Sequence, residues 1–246
     1  AVKHLQKQYS MRLLTFIFFT LFAATSAAAS GFSCLSWRLG VETNNIRDWA
    51  TVPKLCADYM ADYITGGQYL EDSKFVSHQA FRYAKNLKLV GDGNDVWIFD
   101  VDETVFSHVD VFAKYRFGTE PFDRRAVMEY LKKNMAPALP ESLKLYRKLK
   151  SLGIKIVFLT GRNESLREVT ESNLKNAGYS SWEKVLLRDS SNLNQTQKKY
   201  KSSKRTELVM SGYRIVGNIG DQWSDLLGDN PGNRTFKLPN PIYYAA

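Results

Sequence analysis

The 246-residue sequence lacks internal repeats and low-complexity segments, and it contains only two cysteines. Its 44% hydrophobic and 24% charged residues are ordinary for a globular protein and argue against a largely disordered chain. The formal net charge is +9, but no nucleic-acid reader motif and no aromatic stacking platform accompany the basic residues. We therefore expect no nucleic-acid partner, whereas small anionic substrates suit a modestly basic protein.

Long apolar runs are also scarce, and the one that stands out lies at residues 13–24, directly after Met11 and Arg12. It fades into small residues that end in Ala27-x-Ala29, a pattern typical of a secretory signal peptide cleaved near Ala29. A membrane span is the alternative, but the run is short for crossing ~30 Å of hydrocarbon and no basic cluster follows it. We predict that residues 1–29 are a leader and signal peptide, removed from an extracellular or vacuolar protein without membrane association.

The two cysteines, Cys34 and Cys56, both follow this segment. In a secreted chain an even pair predicts one disulfide that closes a short loop and stabilises the fold by ~3 kcal/mol. Two free thiols are expected only if the signal-peptide prediction is wrong. Three Asn-x-Ser/Thr sequons, which begin at Asn163, Asn194 and Asn233, are candidate glycosylation sites of a glycoprotein.

The hydrophobic periodicity predicts an α/β fold. From Cys34 to about Gly91 the pattern is helical, and aromatic residues at near-helical spacing, such as Tyr69 and Phe75, predict packing surface. Further helices are expected near residues 143–152, 165–177 and 202–211, between apolar runs that predict strands at 96–99, 154–159, 185–187, 214–219 and 235–238. We predict a Rossmann-like parallel sheet with helices on both faces and a helical N-terminal extension, in a single domain over residues 30–246.

The segment 105–135 lies between two predicted strands that end in polar residues. It is irregular as far as Pro121 and becomes helical at about residues 124–133. A plain loop and helix is one interpretation of this segment. Its position favours the other interpretation, a small helical cap or lid over a site at the strand ends.

Three predicted strands end in polar residues: Asp100 and Asp102 after the first, Thr160 after the second, and Asp221 and Asp225 after the fourth. The carboxyl ends of parallel strands meet at one edge of the sheet, where such folds bind ligands. Carboxylates placed so close together repel each other and cost several kcal/mol unless a cation lies between them. The alternative interpretations are surface acids after the first strand, an ordinary turn at Thr160, and helix-capping acids at Asp221 and Asp225. With a nearby lysine, the set instead predicts phosphoryl transfer and a hard divalent cation such as Mg²⁺.

These segments resemble known motifs. Residues 99–104 look like the first motif of the haloacid dehalogenase superfamily, whose phosphatases carry Asp-x-Asp-x-Thr after a buried strand. Residues 159–162 are similar to its second motif and residues 220–225 to its fourth, and the lysine of the third is expected within 200–202. More narrowly, residues 36–45 paired with residues 217–225 resemble plant secreted acid phosphatases and vegetative storage proteins, which are class B acid phosphatase-like proteins. The resemblance covers essentially the whole mature chain.

The resemblance implies a role for each catalytic residue. Asp100 would be the nucleophile, Asp102 the general acid and base, and Thr160 and Lys201 would contact the phosphoryl group. Lys204 is the alternative to Lys201, which is preferred because the spacing Lys-Ser-x-x-Arg is similar to that of the family.

The resemblance also implies a metal site. Asp100, the backbone carbonyl of Asp102 and Asp221 would bind Mg²⁺, and Asp225 would orient the site without binding the metal itself. Relatives often have asparagine where this chain has His108, which either contacts the leaving group or simply lies in the loop.

Two functions follow from the resemblance. The first is an acid phosphatase that hydrolyses small phosphate monoesters through a phospho-aspartyl intermediate with Mg²⁺. The second is a vegetative storage protein, an amino-acid reserve with weak or no phosphatase activity. Some storage relatives replace the nucleophile, so the aspartate at position 100 favours the enzyme. Storage relatives form dimers, so the resemblance also implies a homodimer, although the sequence itself does not indicate an oligomeric state.

Overall fold

The computed structural model describes residues 32–133 and 136–246. The chain divides into two compact units, Ala1–Trp37 and Arg38–Ala246. In the first unit only residues 32–37 are described, and the predicted leader and signal peptide lie outside the described residues. Cys34 and Cys56 are both disulfide-bonded, which confirms the predicted disulfide.

The described residues form five strands and nine α-helices that largely alternate along the chain after a helical N-terminal extension. The strands are β1 (Asp95–Phe99), β2 (Lys155–Asn163), β3 (Lys184–Arg188), β4 (Arg214–Gly220) and β5 (Thr235–Lys237). The helices are α1 (Cys34–Glu42), α2 (Ala57–Thr65), α3 (Gln68–Ala84), α4 (Val109–Lys114), α5 (Arg124–Lys132), α6 (Pro140–Ser151), α7 (Arg167–Asn176), α8 (Gln197–Met210) and α9 (Trp223–Leu226). Across the described ranges, no helix is both long and apolar enough to cross a membrane.

All strands are parallel and follow the order β3-β2-β1-β4-β5. The chain first adds β2 and β3 on one side of β1 and then returns to add β4 and β5 on the other side. The topology therefore reverses between β1 and β4, and open α/β sheets bind their ligands outside the carboxyl ends of the strands at such a point.

The two faces of the sheet carry separate hydrophobic clusters, because successive side chains of a strand point to opposite faces. Trp97 and Phe99 of β1 pack with residues of α3, α6 and α7. Val96 and Ile98 pack with Tyr200 and Leu208 of α8 on the other face. Helices therefore cover both faces, as the apolar strand runs predict.

Helix α6 ends where its sequence predicts. Gly153 adopts φ +83°, a left-handed conformation that glycine reaches without steric cost. The N–H of Ile154 donates to the Leu149 carbonyl at 3.2 Å, and this bond closes the helix before β2 begins.

Three expectations about local structure are wrong. Helix α8 begins at Gln197, five residues before the expected start, because the Thr196 hydroxyl caps it by accepting a hydrogen bond from the Lys199 N–H at 3.2 Å. Helix α4 lies in the stretch expected to be irregular, although α5 matches the expected helix. Phe75 is 65% exposed and does not pack in the core, unlike Tyr69, which is buried.

Candidate active site

The loop after β1 supplies the first acidic residues of the site. Asp100 follows the last residue of β1, and its N–H donates to the Ile219 carbonyl of β4 at 3.0 Å, so its backbone is fixed between two strands. The chain then turns sharply, since the N–H groups of Val105 and Phe106 both donate to the Val101 carbonyl, at 2.8 and 3.0 Å. Asp100 is buried, with only 6% of its surface exposed.

Lys201, in the second turn of α8, links two of the acidic residues. Its Nζ donates to Oδ1 of Asp100 and, at 2.6 Å, to Oδ1 of Asp225, and all three side chains are buried. Lys204 instead pairs at 2.9 Å with Glu207, whose side chain is exposed on the same helix. Of the two candidate lysines, it is therefore Lys201 that contacts the acidic residues.

Asp221 follows β4 and is surrounded by neutral hydrogen-bond donors. Its Oδ1 accepts from the Thr104 hydroxyl at 3.1 Å, which joins the loop after β1 to the end of β4. Its Oδ2 accepts from the side-chain amides of Gln222 at 3.0 Å and Asn240 at 2.7 Å, and the Tyr243 hydroxyl lies 3.4 Å away. These contacts hold the carboxylate in place but do not neutralise it.

Asp225 lies in the short helix α9 and folds back on the start of that helix. Its Oδ2 accepts from the N–H of Gln222 at 2.9 Å, while its Oδ1 accepts from Lys201. A Cβ atom at Gly220 would overlap the Asp225 side chain, so this fold requires glycine there. Both carboxylate oxygens of Asp225 therefore accept hydrogen bonds from the protein.

The cluster has the donor set of a divalent-cation site. Carboxylate oxygens of Asp100, Asp221 and Asp225 all lie within 4.8 Å of one another. Burial and the negative charge of Asp225 raise the pKa of both Asp100 and Asp221 above its ordinary value, although Lys201 opposes the shift at Asp100. The cluster thus has one lysine for three buried acids, and a hard divalent cation with oxygen ligands would balance the remaining negative charge.

Asp102 lies on the other side of the loop and is held by Arg162 of β2. The Arg162 Nε donates to both carboxylate oxygens, at 3.0 and 3.1 Å, and its Nη2 donates to Oδ1 at 2.6 Å. Burial alone would raise the pKa of Asp102, but the positive charge of Arg162, together with His108, outweighs it and lowers the pKa. The contact with Arg162 therefore favours the ionised form of Asp102.

These residues face a cavity of about 220 Å³. Asp100, Asp102, Lys201, Asp221 and Asp225 all line it. Thr160, by contrast, is fully buried and accepts a hydrogen bond from the N–H of Arg162 at 3.1 Å, and it is the next two residues, 161 and 162, that line the cavity. The other wall includes Met128 and Leu131 of α5, so the segment expected to form a cap does border the site.

Comparisons with known proteins identify the family. The family model described as HAD superfamily, subfamily IIIB (Acid phosphatase), matches residues 18–246. The chain belongs to this family. This match agrees with the superfamily resemblance of residues 99–104, 159–162 and 220–225.

Plant relatives of the family are similar over most of their length. The chain is 49% identical to acid phosphatase 1 of Solanum lycopersicum, over 86% of this chain and 83% of the relative. It is also 49% identical to vegetative storage protein 2 of Arabidopsis thaliana, over 86% and 80% of the two chains, and to a stem 31 kDa glycoprotein of Glycine max, over 88% and 85%. Overall identity therefore does not separate the enzyme from the storage proteins.

Solved structures support the fold. The structure of the class C acid phosphatase from Bacillus anthracis matches with a TM-score of 0.60 and 24% identity, over 77% of this chain and 84% of that one. At this identity the likeness concerns the fold alone. It agrees with the parallel α/β sheet described above.

The sequence motifs indicate no role for several residues that hold the site. Arg162 was part of a recognised motif, and its basic side chain next to a strand end could have indicated an acidic partner. Asn240 and Tyr243 lie in the C-terminal tail, where a pair of prolines signals only an irregular segment. Nothing local to that tail indicates that it returns to the end of β4.

Proposed function

We propose that this chain is an acid phosphatase that hydrolyses small phosphate monoesters through a phospho-aspartyl intermediate and depends on Mg²⁺. The observation that carries the proposal is the contact of Lys201 with Asp100 and Asp225, next to Asp221, in a buried cluster that opens on the cavity. A nucleophilic carboxylate beside a fixed cation is what phosphoryl transfer through a covalent intermediate requires.

In the first half of the reaction, Asp100 attacks the phosphorus atom. Lys201 binds Oδ1 of Asp100, which leaves Oδ2 as the attacking oxygen. The bond from phosphorus to the leaving oxygen breaks, and the leaving oxygen keeps the electron pair and takes a proton from Asp102. The proton matters most for alkoxide leaving groups, which are strong bases.

In the second half, water attacks the phosphorus atom and Asp102 removes its proton, while the electron pair of the broken bond returns to the Asp100 carboxylate. Asp102 must be protonated at the start of the cycle, and in the free protein Arg162 keeps its pKa low. A bound phosphate dianion acts against Arg162, because a neighbouring negative charge favours the neutral carboxyl group.

Mg²⁺, bound by Asp100, the backbone carbonyl of Asp102 and Asp221, would neutralise charge on the phosphoryl oxygens. Asp225 would hold Lys201 in place, and Thr160 would contact the phosphoryl group from the end of β2. Burial and, after it, the negative charge of Asp225 raise the pKa of both Asp100 and Asp221, and a cation at this position would offset both effects.

The remaining proposals concern the setting of the enzyme. Residues 1–29 would direct it to the secretory pathway, residues 105–135 would form the cap, and the mature protein would be a homodimer in the vacuole or outside the cell. Relatives named as stem glycoproteins and vegetative storage proteins support the secretory pathway. Asn194 and Asn233 are exposed and suit glycans, whereas Asn163 is half-buried and lines the cavity.

The decisive experiment measures hydrolysis of p-nitrophenyl phosphate at acidic pH. We expect activity with Mg²⁺, loss of activity with a chelator, recovery when Mg²⁺ is restored, and loss of at least about a hundredfold in Asp100→Asn. Asp58→Asn is the matched control, because Asp58 is exposed in α2 and should leave activity unchanged.

The storage function is the second candidate, supported by the 49% identity to vegetative storage protein 2. In the same assay, equal and very slow hydrolysis by the unchanged protein and by Asp100→Asn would contradict the enzymatic proposal. It would favour an amino-acid reserve instead.

A further inference from the structure

The cavity of the candidate active site has an apolar wall as well as an acidic one. Met128 and Leu131 of α5 line it, together with Leu166 and Ala245. The two side chains of α5 are partly exposed, although methionine and leucine are among the residues most often buried. An apolar group of a bound ligand would remove them from water, which is favourable.

Helix α5 has two chemically different faces. Glu129 and Lys132 form an ion pair at 2.7 Å, and their side chains are 67% and 54% exposed. Met128 and Leu131 are three residues apart and therefore lie on one face of the helix. The charged pair thus faces solvent, whereas the apolar pair faces the cavity.

Contacts within the protein hold α5 beside the loop after β1. Tyr130 packs edge-on against the ring of His108, at a centroid distance of 5.8 Å. The start of the helix is fixed by Asp123, whose Oδ1 accepts from the N–H of Arg125 at 2.8 Å. The apolar wall is therefore in place before a substrate binds.

The charges around the cavity disfavour a second anionic group on the substrate. Among the described residues that line the cavity, the basic ones are Lys201 and Arg162. Lys201 contacts Asp100 and Asp225, and Arg162 contacts Asp102. Each basic side chain is thus already paired, and the carboxylates would repel a further negative charge.

The size of the cavity limits the leaving group. Its volume is about 220 Å³, below the ~300–1,000 Å³ of pockets that hold drug-sized ligands. The phosphoryl group would occupy the acidic end, next to Asp100. The remaining space suits a leaving group of about one ring in size.

We propose that the substrates of this site are phosphate monoesters with a small, uncharged, apolar leaving group, such as an alkyl-substituted phenol, and that Met128 and Leu131 contact this group. The inference rests on the proposed function and narrows its substrate class. It excludes sugar bisphosphates and nucleoside triphosphates as good substrates, because they carry further anionic groups.

The test compares two aryl phosphates that differ in one charge. The first is p-ethylphenyl phosphate, and the second is the phosphate ester of p-hydroxyphenylpropionate, which adds a carboxylate at the end of the alkyl chain. Their phenols have similar basicity, so the chemical step makes nearly the same demand on the site. The ratio of the two kcat/KM values therefore reports contacts with the rest of the leaving group.

A lysine in the apolar wall should change this ratio. Leu131→Lys removes an apolar contact and supplies an unpaired cation for the carboxylate. Met128→Lys repeats the test from the neighbouring position if Leu131→Lys does not fold, which thermal unfolding shows. Glu129→Gln is the matched control, because it makes the same change in net charge on the exposed face of the same helix.

We expect the unchanged protein to favour p-ethylphenyl phosphate by at least about tenfold in kcat/KM. Leu131→Lys should reduce this preference to about threefold or less, and Glu129→Gln should leave it unchanged. A preference below about threefold in the unchanged protein, or equal shifts in Leu131→Lys and Glu129→Gln, would overturn the inference; the proposed function would stand as long as hydrolysis requires Asp100. Absence of any Asp100-dependent hydrolysis would overturn both.

Discussion

Arg205 offers a stability prediction that does not depend on the proposed function. It lies four residues after Lys201, on the same face of α8, and its side chain is fully buried. Its guanidinium donates to the backbone carbonyls of Asp225 at 2.8 Å, Leu227 at 2.5 Å and Asp229 at 3.1 Å. Arg205 thus holds the backbone of residues 225–229, while Lys201 binds the side chain of Asp225.

Replacing Arg205 with methionine removes all three bonds and keeps most of the apolar volume. A hydrogen bond from a charged group contributes ~1.5–3 kcal/mol, and the Asp225 carbonyl retains a second donor in the Asn218 amide at 2.9 Å. Because the buried charge also disappears, part of the loss is offset, and we expect the free energy of unfolding to fall by about 3–5 kcal/mol. At about 2–4 °C per kcal/mol for a protein of this size, Tm should fall by roughly 10 °C.

Denaturant and thermal unfolding of the purified protein, with its disulfide intact, measure both quantities. The stability of Arg205→Lys should lie between those of the unchanged protein and Arg205→Met, since an ammonium keeps the charge but cannot bridge three carbonyls. Arg82→Met, on the exposed part of α3, should change stability by less than about 0.5 kcal/mol. If Arg205→Met shifts Tm no more than Arg82→Met does, the three bonds do not hold this segment.

Two further predictions concern stability. The pKa of Glu183 is lowered by the Tyr213 hydroxyl, at 2.6 Å, and by Lys155, at 3.1 Å. The contribution of Glu183 to the stability of the fold is therefore present above its unfolded pKa of ~4.3 and is lost as pH falls through the folded pKa. Denaturant unfolding should therefore show that Glu183→Gln is less stable by under about 1 kcal/mol at pH 7, with no difference near pH 3; an equal difference at both pH values contradicts this. Separately, reducing the disulfide of Cys34 and Cys56 should lower the free energy of unfolding by about 3 kcal/mol, whereas two thiols titrating before reduction would contradict the disulfide.

The sheet could be predicted from the sequence because its signals are local. Buried parallel strands appear as short apolar runs, and polar residues directly after them mark the edge at which ligands bind. The runs before Asp100 and Asp221 therefore indicated that these two residues lie at the same edge of the sheet, where their carboxylates are close together. For the lysine, the family spacing indicated Lys201, and the structure shows the contact that Lys204 lacks.

Other features depend on contacts between distant segments, which no local pattern encodes. Asn240 reaches Asp221 because the tail is anchored by Glu42, whose carboxylate accepts from the N–H of Asn240 at 2.9 Å and from Lys237 at 2.8 Å. The left-handed backbone of Glu103 arises from the sharp turn after β1, and a glutamate gives no sign of it. The predicted start of α8 is wrong because the apolar pattern there is weak and a single capping threonine, Thr196, determines where the helix begins.

The energetics of the acidic cluster bear on the choice between enzyme and reserve. Burial raises the pKa of Asp100 and Asp221, which means that keeping these carboxylates ionised reduces the free energy of unfolding. Apolar residues of similar volume in place of a buried ionic cluster are often neutral or stabilising, so a chain that only stores amino acids gains nothing from this arrangement. Active sites accept such a cost because binding and catalysis need the charge. The intact contacts of Lys201 with Asp100 and Asp225 therefore favour a protein that turns over phosphate esters, even if it also accumulates as a reserve.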